Sequence, residues 1–427
     1  MTGVITTIAG NGVSGYSGDG DVATKARFHA PVDVVMDRDG NLLIVDQDNN
    51  RVRRIDAITG IITTVIGTGE ARFSGDGGLA TRANLSQPEG LAIDKAGNYY
   101  LAEARNHRVR RIDSATGIIS TIAGTGTAAF SGDGGLATQA ELNSPRDVAV
   151  DAAGNVFIVD MENHRVRRVD FATGIVTTVA GTGAQGFSGD GSAAILANLN
   201  WPKDVTVDTA GNLYIAERLG SRVRRVDAAT GIISTVVGTG IPVFDGDGGQ
   251  ATEARLNSPF SVAADGSGNL FIVDTVNHQI RRVDSATGII ETVAGTGMPG
   301  YSGDGKAGIQ SSLHFPLAVA LDASGNLFIA DSGNNRLRRV DVDTGTITTV
   351  AGTGMTGFSG DGGLAVEASL VSPSDVAVDA EGNIFIADTG NHRVRLVDIT
   401  TGIISTVAGA GVSASSAGVT PAELSLN

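Results

Sequence analysis

Short apolar runs alternate with polar turns along the whole chain. Between residues 118 and 174 the runs cover 118–122, 148–150, 156–159 and 165–169, and each is rich in β-branched residues. Runs of this length and composition, bounded by Gly, Asn and Asp, are typical of strands rather than helices. This stretch therefore predicts four short strands connected by turns.

The four-run pattern returns every 57 residues. Its copies cover 4–60, 61–117, 118–174, 175–231, 232–288, 289–345 and 346–402 without insertion or deletion, and a partial eighth copy covers 403–427. Self-similarity at a fixed period is the signature of a repeat architecture. No linker interrupts the array, so we expect residues 1–427 to form a single domain.

Four strands in each of seven copies predict an all-β fold, a seven-bladed β-propeller with four antiparallel strands per blade. The turns around Gly154 and Gly174 favour this fold, because glycine takes the positive φ of a tight hairpin without strain. A parallel solenoid is the alternative, but it does not need antiparallel hairpin turns. Residues 136–142 predict a short helical turn in the long loop between two blades.

The turn after the third run carries a recognisable motif. Residues 160–165 read Asp-Met-Glu-Asn-His-Arg, and Asn-His recurs at 106–107 and 391–392. The segment Pro-x-x-Val-Ala-Val-Asp-x-x-Gly-Asn begins at Pro145 and again at Pro373. With these motifs the chain resembles the NHL repeat over nearly its whole length.

The remaining loops narrow this resemblance. A Gly-Asp-Gly-Gly loop and an Ile-Thr-Thr-Val-Ala-Gly strand are most similar to the NHL regions of teneurins and of related bacterial exported proteins. The resemblance implies a bacterial protein located outside the cytoplasm, or secreted. Copy four departs from the motif, since Gly220 and Ser221 replace Asn-His.

Closure of the ring poses a counting problem. There are seven sets of the inner three strands but eight copies of the outer strand, including residues 4–8 and 403–407. We expect one of these two segments to complete the last blade, without a prediction of which one. The other would fray, add a fifth strand or pair with another molecule. We therefore expect a monomer whose spare strand could mediate self-association.

Charge and composition exclude several function classes. The net charge of −15 and the pI near 4.8 argue against a general attraction to nucleic acid or to an anionic membrane. No apolar stretch approaches the ~18 to 20 residues of a membrane span, and no signal peptide precedes the first repeat. The chain has no cysteine, which removes disulfides and thiolate metal sites.

A Gly-Asp-Gly element recurs in every copy, and its oxygen-rich loops suggest calcium. The calcium candidates are Asp19 with Asp21 and Asp245 with Asp247, where two carboxylates lie close in sequence. Most copies offer only one carboxylate, so we favour a structural role in which Asp tightens the turn and caps the short helix. No cofactor is expected, with calcium as the alternative.

The Asn-His pair and the arginines after it recur blade after blade, whereas a catalytic site needs one convergent set of groups. We interpret them as blade-internal contacts, in which Asp160 pairs with Arg165 or Arg167. Such exposed pairs would each contribute little to stability.

Positions that differ between copies are not required for the structure of the blade, so they can serve a function. The residue after the proline should ring the mouth of the central channel on the top face. Copies two to five concentrate unusual residues there, and the predicted ligand-binding set is Glu89, Arg105, Arg146, Trp201, Lys203, Arg218 and Phe260. Trp201, the only tryptophan, could stack on a sugar or a peptide.

Two functions remain open. The first is a noncatalytic binding or scaffold module that holds a protein, peptide or glycan partner on its top face. The second is an enzyme of the propeller lyase or lactonase type with a cation in the channel. The inner ring contains no histidine, so the metal pattern of those enzymes is not matched, although Asp147 and Asp204 could hold a cation. We therefore lean toward the binding module and predict no catalytic residue.

Overall fold

The computed structural model describes residues 14–379, 382–398 and 404–408. Seven antiparallel sheets form the blades of a propeller, and within each blade the strands are ordered from the first to the last in sequence. The predicted seven-bladed, all-β fold is confirmed.

The strand boundaries repeat closely from blade to blade. Blade 1 contains β1 (Pro31–Met36), β2 (Leu42–Asp46), β3 (Arg51–Ile55) and β4 (Ile62–Ile66); blade 2 contains β5 (Pro88–Ile93), β6 (Tyr99–Glu103), β7 (Arg108–Ile112) and β8 (Ile119–Ala123). Blade 3 contains β9 (Pro145–Val150), β10 (Val156–Asp160), β11 (Arg165–Val169) and β12 (Val176–Ala180); blade 4 contains β13 (Pro202–Val207), β14 (Leu213–Glu217), β15 (Arg222–Val226) and β16 (Ile233–Val237).

The last three blades follow the same plan, with one extra edge strand. Blade 5 contains β17 (Pro259–Ala264), β18 (Leu270–Asp274), β19 (Gln279–Val283) and β20 (Ile290–Ala294). Blade 6 contains β22 (Ala318–Leu321), β23 (Leu327–Asp331), β24 (Arg336–Val340) and β25 (Thr346–Ala351), and the short β21 (Lys306–Ala307) pairs with β25. Blade 7 contains β26 (Pro373–Val378), β27 (Ile384–Asp388), β28 (Arg393–Val397) and β29 (Ile404–Ala408).

Helical structure in the described residues is limited to single 3-10 turns. Seven of them lie in the loops between blades: Ala23–Lys25, Ala80–Arg82, Ala137–Gln139, Ala194–Leu196, Ala251–Glu253, Gly308–Gln310 and Ala365–Glu367. Five more follow the second strand of a blade: Gln47–Asn49, Met161–Asn163, Thr275–Asn277, Ser332–Asn334 and Thr389–Asn391. The turn predicted over 136–142 is thus only three residues long. The predicted cap is wrong, because no side chain caps this turn.

The cores lie between neighbouring blades. The second strand of a blade is buried along nearly its whole length, since both of its faces meet another sheet. Between blades 2 and 3, for example, Tyr100 and Ala102 pack with Val148 and Ile158. An unbroken apolar run such as 156–159 is therefore the pattern of a strand covered on both faces.

The ring closes through the C-terminal copy of the outer strand. β29 pairs with β28 and completes blade 7, while the competing segment 4–8 lies outside the described residues. Phe385 and Val394 of blade 7 share a core cluster with Phe28 and Val34 next to and in β1. The closing interface is therefore an ordinary interface between two blades.

Candidate functional site

The Gly-Asp-Gly aspartates bind buried arginines. Asp133 lies 2.7 Å from Arg167, whose side chain is fully buried and also lies 3.4 Å from Asp160. The same contact occurs seven times: Asp19–Arg53, Asp76–Arg110, Asp133–Arg167, Asp190–Arg224, Asp247–Arg281, Asp304–Arg338 and Asp361–Arg395. These aspartates therefore serve the blade, but through an ion pair rather than through the predicted helix cap.

Of the two partners predicted for Asp160, the structure selects Arg167. The prediction of exposed pairs is wrong, because the Asp160 and Arg167 side chains are both fully buried. Burial raises the pKa of Asp160 to about 6, against the opposing effect of the hydrogen bonds from Asn143 and Asn163. Arg165 instead lies 3.5 Å from the centre of the Phe130 ring.

Each calcium candidate is engaged by a cation of the chain. Asp19 and Asp247 belong to the arginine pairs above, Asp21 lies 3.1 Å from Lys25, and Asp245 lies 3.9 Å from Arg255. Within the described ranges, no group of three or more His, Asp or Glu side chains is arranged to hold a metal ion.

The Asn-His motif forms hydrogen bonds between blades. Nδ1 of His107 accepts a hydrogen bond from the backbone N–H of Ser144 in the next blade, at 3.0 Å. The equivalent bonds are His164–Trp201, His278–Phe315 and His392–Ala30, and Asn oxygens replace the imidazole in Asn50–Gln87 and Asn335–Ser372. Burial lowers the pKa of these four histidines, because it disfavours the protonated imidazole.

In each blade, one residue follows the proline near the start of the innermost strand. These residues surround the mouth of the central channel, and the cavity at the mouth has a volume of about 460 Å³. All seven line it: Val32, Glu89, Arg146, Lys203, Phe260, Leu317 and Ser374. Glu89 forms an ion pair with Arg146 and lies 3.8 Å from Lys203. Among the residues that follow the prolines, one carboxylate in blades 2 to 4 thus faces two cations, while Asp147 and Asp204 line the channel below them.

The opposite arc of the mouth is apolar. It comprises Phe260, Leu317 and Val32 of blades 5, 6 and 1, interrupted only by Ser374 of blade 7, whose hydroxyl bonds to that of Thr389. Lys203 borders this arc, with its Nζ 5.3 Å from the centre of the Phe260 ring, and the Arg218 guanidinium lies 6.0 Å from the same ring. The mouth therefore presents a cationic side and an apolar side that meet at Phe260.

The structure brings together only part of the predicted ligand-binding set. Glu89, Arg146, Lys203 and Phe260 line the mouth, and Arg218 lies at its rim. Arg105 is exposed in the turn after β6 and does not line the channel.

Trp201 also lies outside the mouth. It is half-buried against the core between blades 3 and 4, and its ring centre is 6.2 Å from that of His164. Its φ of +52° is shared with the residue before the proline in every other blade, so its conformation belongs to the frame. Its position places it in the cleft between two blades rather than on the channel.

Below the mouth, four aspartates form two pairs. The sequence suggested Asp147 and Asp204 only as ligands of a cation, and it did not predict that they bond to each other or that Asp33 pairs with Asp375. Asp33 and Asp375 are hydrogen-bonded to each other, as are Asp147 and Asp204. Each also accepts a hydrogen bond from a backbone N–H of the next blade; for Asp147 the donor is Val205, at 3.0 Å. The signal was present in the sequence, because the same position carries Asp in neighbouring copies.

Burial and the adjacent like charge determine how these pairs titrate. Burial raises the pKa of Asp33 to about 6. The pKa of Asp147 is raised well above its usual value by burial and by the charge of Asp204, and that of Asp375 by burial and the charge of Asp33. Two carboxyl groups in contact hold one proton between them more readily than they ionise together.

Comparison with known proteins assigns the family. The profile of the Teneurin NHL domain matches residues 69–131, 126–188, 182–243, 244–299 and 354–425, which is more than half of the chain. The chain belongs to the Teneurin NHL domain family. An NHL repeat profile also matches residues 313–340, and the resemblance predicted from the sequence is confirmed.

The curated relatives of this Teneurin NHL propeller include teneurins and other proteins with different names. The chain is 31% identical over 328 residues to Protein SUPPRESSOR OF QUENCHING 1, chloroplastic, of Arabidopsis thaliana, covering 74% of this chain and 30% of that protein. It is 31% identical over 381 residues to Teneurin-3 of Mus musculus, covering 79% and 13%. It is 28% identical over 302 residues to NHL repeat-containing protein 2 of Homo sapiens, covering 64% and 41%. The chain spans less than half of each of these relatives.

Solved structures of similar fold are more distant in sequence from this Teneurin NHL chain. Virginiamycin B lyase from Staphylococcus aureus superposes with a TM-score of 0.54 at 15% identity, over 84% of this chain and 92% of that one. The extracellular domain of the putative one-component system BT4673 from B. thetaiotaomicron gives a TM-score of 0.54 at 12% identity, over 86% and 38%. At these identities the likeness shows the fold alone.

Proposed function

We propose that this propeller is a noncatalytic binding module that holds a protein or peptide partner at the channel mouth. The observation that carries the proposal is the division of the mouth into a cationic arc and an apolar arc on a frame that is otherwise repetitive. Residues of the frame are dictated by the blade, whereas Glu89, Arg146, Lys203 and Phe260 occupy a position where each copy differs. Function in a repeat propeller resides in such grafted positions.

The charge and shape of the mouth favour a peptide over a neutral glycan. Arg146 and Lys203 outnumber Glu89, so an acidic group of the partner would find a cation without displacing all of the existing ion pairs. Phe260 and Leu317 offer an apolar surface beside these cations. An acidic residue next to an aromatic or aliphatic residue would satisfy both arcs at once.

A location outside the cytoplasm belongs to the same proposal. A propeller of similar fold is described as an extracellular domain, which is compatible with this location. Among the described residues, no helix is long and apolar enough to cross a membrane.

The proposal can be tested by selecting a phage-displayed peptide library on the purified chain. We expect enriched peptides to pair Asp or Glu with an aromatic or aliphatic residue. Lys203→Ala and Phe260→Ala should each weaken a selected peptide by about tenfold, which corresponds to the loss of roughly 1.4 kcal/mol. Arg168→Ala is the matched control, because Arg168 pairs with Asp170 at the opposite end of the blade.

The proposal is contradicted if no peptide is enriched above background, or if the selected peptides bind both mouth variants as tightly as the parent chain. It is also contradicted if glycans on an array are the only ligands found whose binding is lost in Lys203→Ala. Circular dichroism of each variant checks that the fold is retained.

A further inference from the structure

A second cavity lies away from the channel. It has a volume of about 620 Å³ and lies between blades 1 and 2, at the end of the blades opposite to the mouth. Its walls include the turn 37–39 of blade 1, the turn 95–97 and Tyr99 of blade 2, and the outer-strand residue Val65. This size is within the ~300 to 1,000 Å³ range of small-molecule sites.

The cavity lies in the cleft between blades 1 and 2. This cleft differs from the six other clefts between neighbouring blades through an exchange of an aromatic and an aliphatic residue. In six blades the second strand presents an aromatic residue to the cleft that follows it: Tyr100, Phe157, Tyr214, Phe271, Phe328 and Phe385. Blade 1 has Leu43 at this position, and across the cleft blade 2 has Tyr99 where the other blades have aliphatic residues. The aromatic ring has moved from one wall to the other.

This exchange changes what the cleft exposes. Tyr99 is half-buried on the core shared by blades 1 and 2, and it faces Asp37 and Arg54 of blade 1. Within the described ranges its hydroxyl forms no hydrogen bond, whereas the Tyr100 hydroxyl bonds to Asp94 at 3.0 Å in the neighbouring cleft. The cleft thus contains an aromatic ring with an unused polar group.

Two exposed cations flank this ring. Arg38 and Lys95 occupy the same turn position in copies one and two, where the later copies carry Ala152, Thr209, Gly266, Ala323 and Ala380. Neither forms an ion pair with another described residue. By contrast, Arg54 is held by Asp37 at 3.6 Å and by Asp56 at 3.7 Å. The cavity lining also contains Asp113, which pairs with Arg111 at 3.2 Å, and the exposed Asp39, so the two unpaired cations outnumber the remaining carboxylate by one.

The neighbouring cleft, between blades 2 and 3, has the usual aliphatic residue in place of Tyr99, but it carries Phe171 where the other copies have Ala, Ser, Val or Ile. There the Phe171 ring covers Gly154, the aliphatic Val156 replaces tyrosine, and Arg111 is paired with Asp113 at 3.2 Å. Its cavity is smaller, about 400 Å³. The features that distinguish the first cleft are therefore not requirements of the fold.

A peptide strand is the less suitable occupant, because the adjacent sheet edges are already covered. Val22 forms a bridge with Ile61 at the outer edge of blade 1, and Leu79 forms the same bridge with Ile118 in blade 2. An incoming strand would find no free backbone edge to pair with. A sugar ring does not need one, since it stacks on an aromatic face and bonds through its hydroxyl groups.

We propose that this cleft binds an acidic saccharide, with a sugar ring against Tyr99 and its carboxylate or sulfate group between Arg38 and Lys95. The Tyr99 hydroxyl supplies a hydrogen bond to the ring. This site is independent of the channel mouth and of any partner held there.

Isothermal titration of the whole chain with digalacturonate and with a chondroitin sulfate disaccharide tests the proposal and separates the carboxylate from the sulfate. We expect binding of at least one of them, and about tenfold weaker binding in Arg38→Ala/Lys95→Ala. Arg27→Ala/Lys306→Ala is the matched control, because both residues are exposed and neither lines this cavity.

The decisive variant is Leu43→Phe/Tyr99→Leu, which rebuilds the residue pattern of the other clefts and so should fold normally. It should lose binding, whereas Tyr99→Phe should keep the ring and lose only part of the affinity. The proposal is overturned if neither disaccharide binds, if Leu43→Phe/Tyr99→Leu binds as tightly as the parent chain, or if tetraglutamate or the neutral methyl ester of digalacturonate binds equally well. Failure of the peptide selection at the mouth would not affect these results.

Discussion

Nδ1 of His392 in the last blade accepts a hydrogen bond from the backbone N–H of Ala30, just before the first strand of blade 1, at 3.1 Å. His107 forms the same bond to Ser144 between blades 2 and 3. Two further bonds close the ring, from the Thr389 hydroxyl to the carbonyl of Pro31 at 2.7 Å and from the N–H of Val34 to Asp375 at 3.3 Å. The first and last blades are therefore joined as internal neighbours are.

His392→Ala should lower the free energy of unfolding by about 1 to 2 kcal/mol, because the half-buried N–H of Ala30 loses its acceptor. His392→Asn should cost less, since Asn50 and Asn335 already accept this bond at the equivalent position. Urea unfolding of the three proteins measures the difference. Equal losses in the Ala and Asn variants would show that the bond is not the source of the effect.

The difference in stability between the parent chain and His392→Asn should depend on pH. Burial, together with the nearby His29 and Arg393, lowers the pKa of His392 against the opposing effect of Asp48, so the unfolded chain binds a proton more readily than the folded chain. The contribution of His392 is then complete above its unfolded pKa of about 6.5 and is lost as the pH falls toward the folded value. The stability of the parent chain relative to His392→Asn should fall between pH 7.5 and pH 5. A constant difference would contradict this assignment.

A fully buried arginine such as Arg167 should matter far more than the half-buried Arg165 two positions before it. Arg167→Gln should destabilise the chain by about 3 to 5 kcal/mol, because it leaves Asp160 buried without its cation. Arg165→Gln should cost about 1 kcal/mol or less, since blade 5 carries Gln279 at this position and its side-chain amide donates to the carbonyl of Gly295 at 3.2 Å. Chemical denaturation compares the two. Similar losses would mean that Arg167 contributes no more than a surface contact.

The paired aspartates in the channel predict the opposite dependence on pH. The pKa of Asp147 is raised in the folded chain, so its stabilising contribution is present below the unfolded value of about 3.9 and is lost as the pH rises through the folded value. Asp147→Asn can still accept from Val205 and donate to Asp204, but it does not titrate. The parent chain should therefore become less stable relative to Asp147→Asn between pH 5 and pH 8.

Asp343→Asn provides the control, because Asp343 is exposed in the turn after β24. Its stability difference from the parent chain should not vary across this range. A parallel change in both variants would point to net charge rather than to the channel pair.

The Gly-Asp-Gly loops should not depend on a metal. Their aspartates contact arginines instead, as Asp247 contacts Arg281 at 2.7 Å. We expect EDTA to leave the melting temperature unchanged and elemental analysis to find no stoichiometric calcium. A lower melting temperature in EDTA that calcium restores would revive the calcium hypothesis for Asp245 and Asp247.

Much of the frame could be predicted because its causes lie within one repeat. Gly154 and Gly174 take φ values of +88° and +68°, as their hairpin turns require, and the strand predicted over 165–169 has those boundaries. The motif around Asn163 and His164 was interpreted as blade-internal, which is confirmed for Asn163, whose amide donates to Asp160 at 2.8 Å, but is wrong for His164, which bonds to the next blade. The partner of His164 was not predicted, because the donor of its hydrogen bond is the backbone N–H of Trp201, which belongs to the next blade.

The candidate sites were predicted less completely. The ring of residues around the mouth followed from one repeated position, and Arg146 and Lys203 lie there. Trp201 does not, because the position before the proline points into the cleft between blades. The exchange of Leu43 and Tyr99 is visible in an aligned sequence, but both faces of a second strand are buried, so the pattern does not reveal which neighbouring blade each residue meets.

By itself, the sequence determined the strands, their number and the closed propeller, because alternation, turn chemistry and the 57-residue period are local properties of each copy. Only the tertiary structure decided which residues of different copies meet: Glu89 between Arg146 and Lys203, Asp147 beside Asp204, and Tyr99 opposite Leu43. It also decided that β29 completes the last blade, since two copies of the same strand carry nearly the same local signal. Contacts between blades depend on the radius and closure of the ring, and no single repeat encodes these.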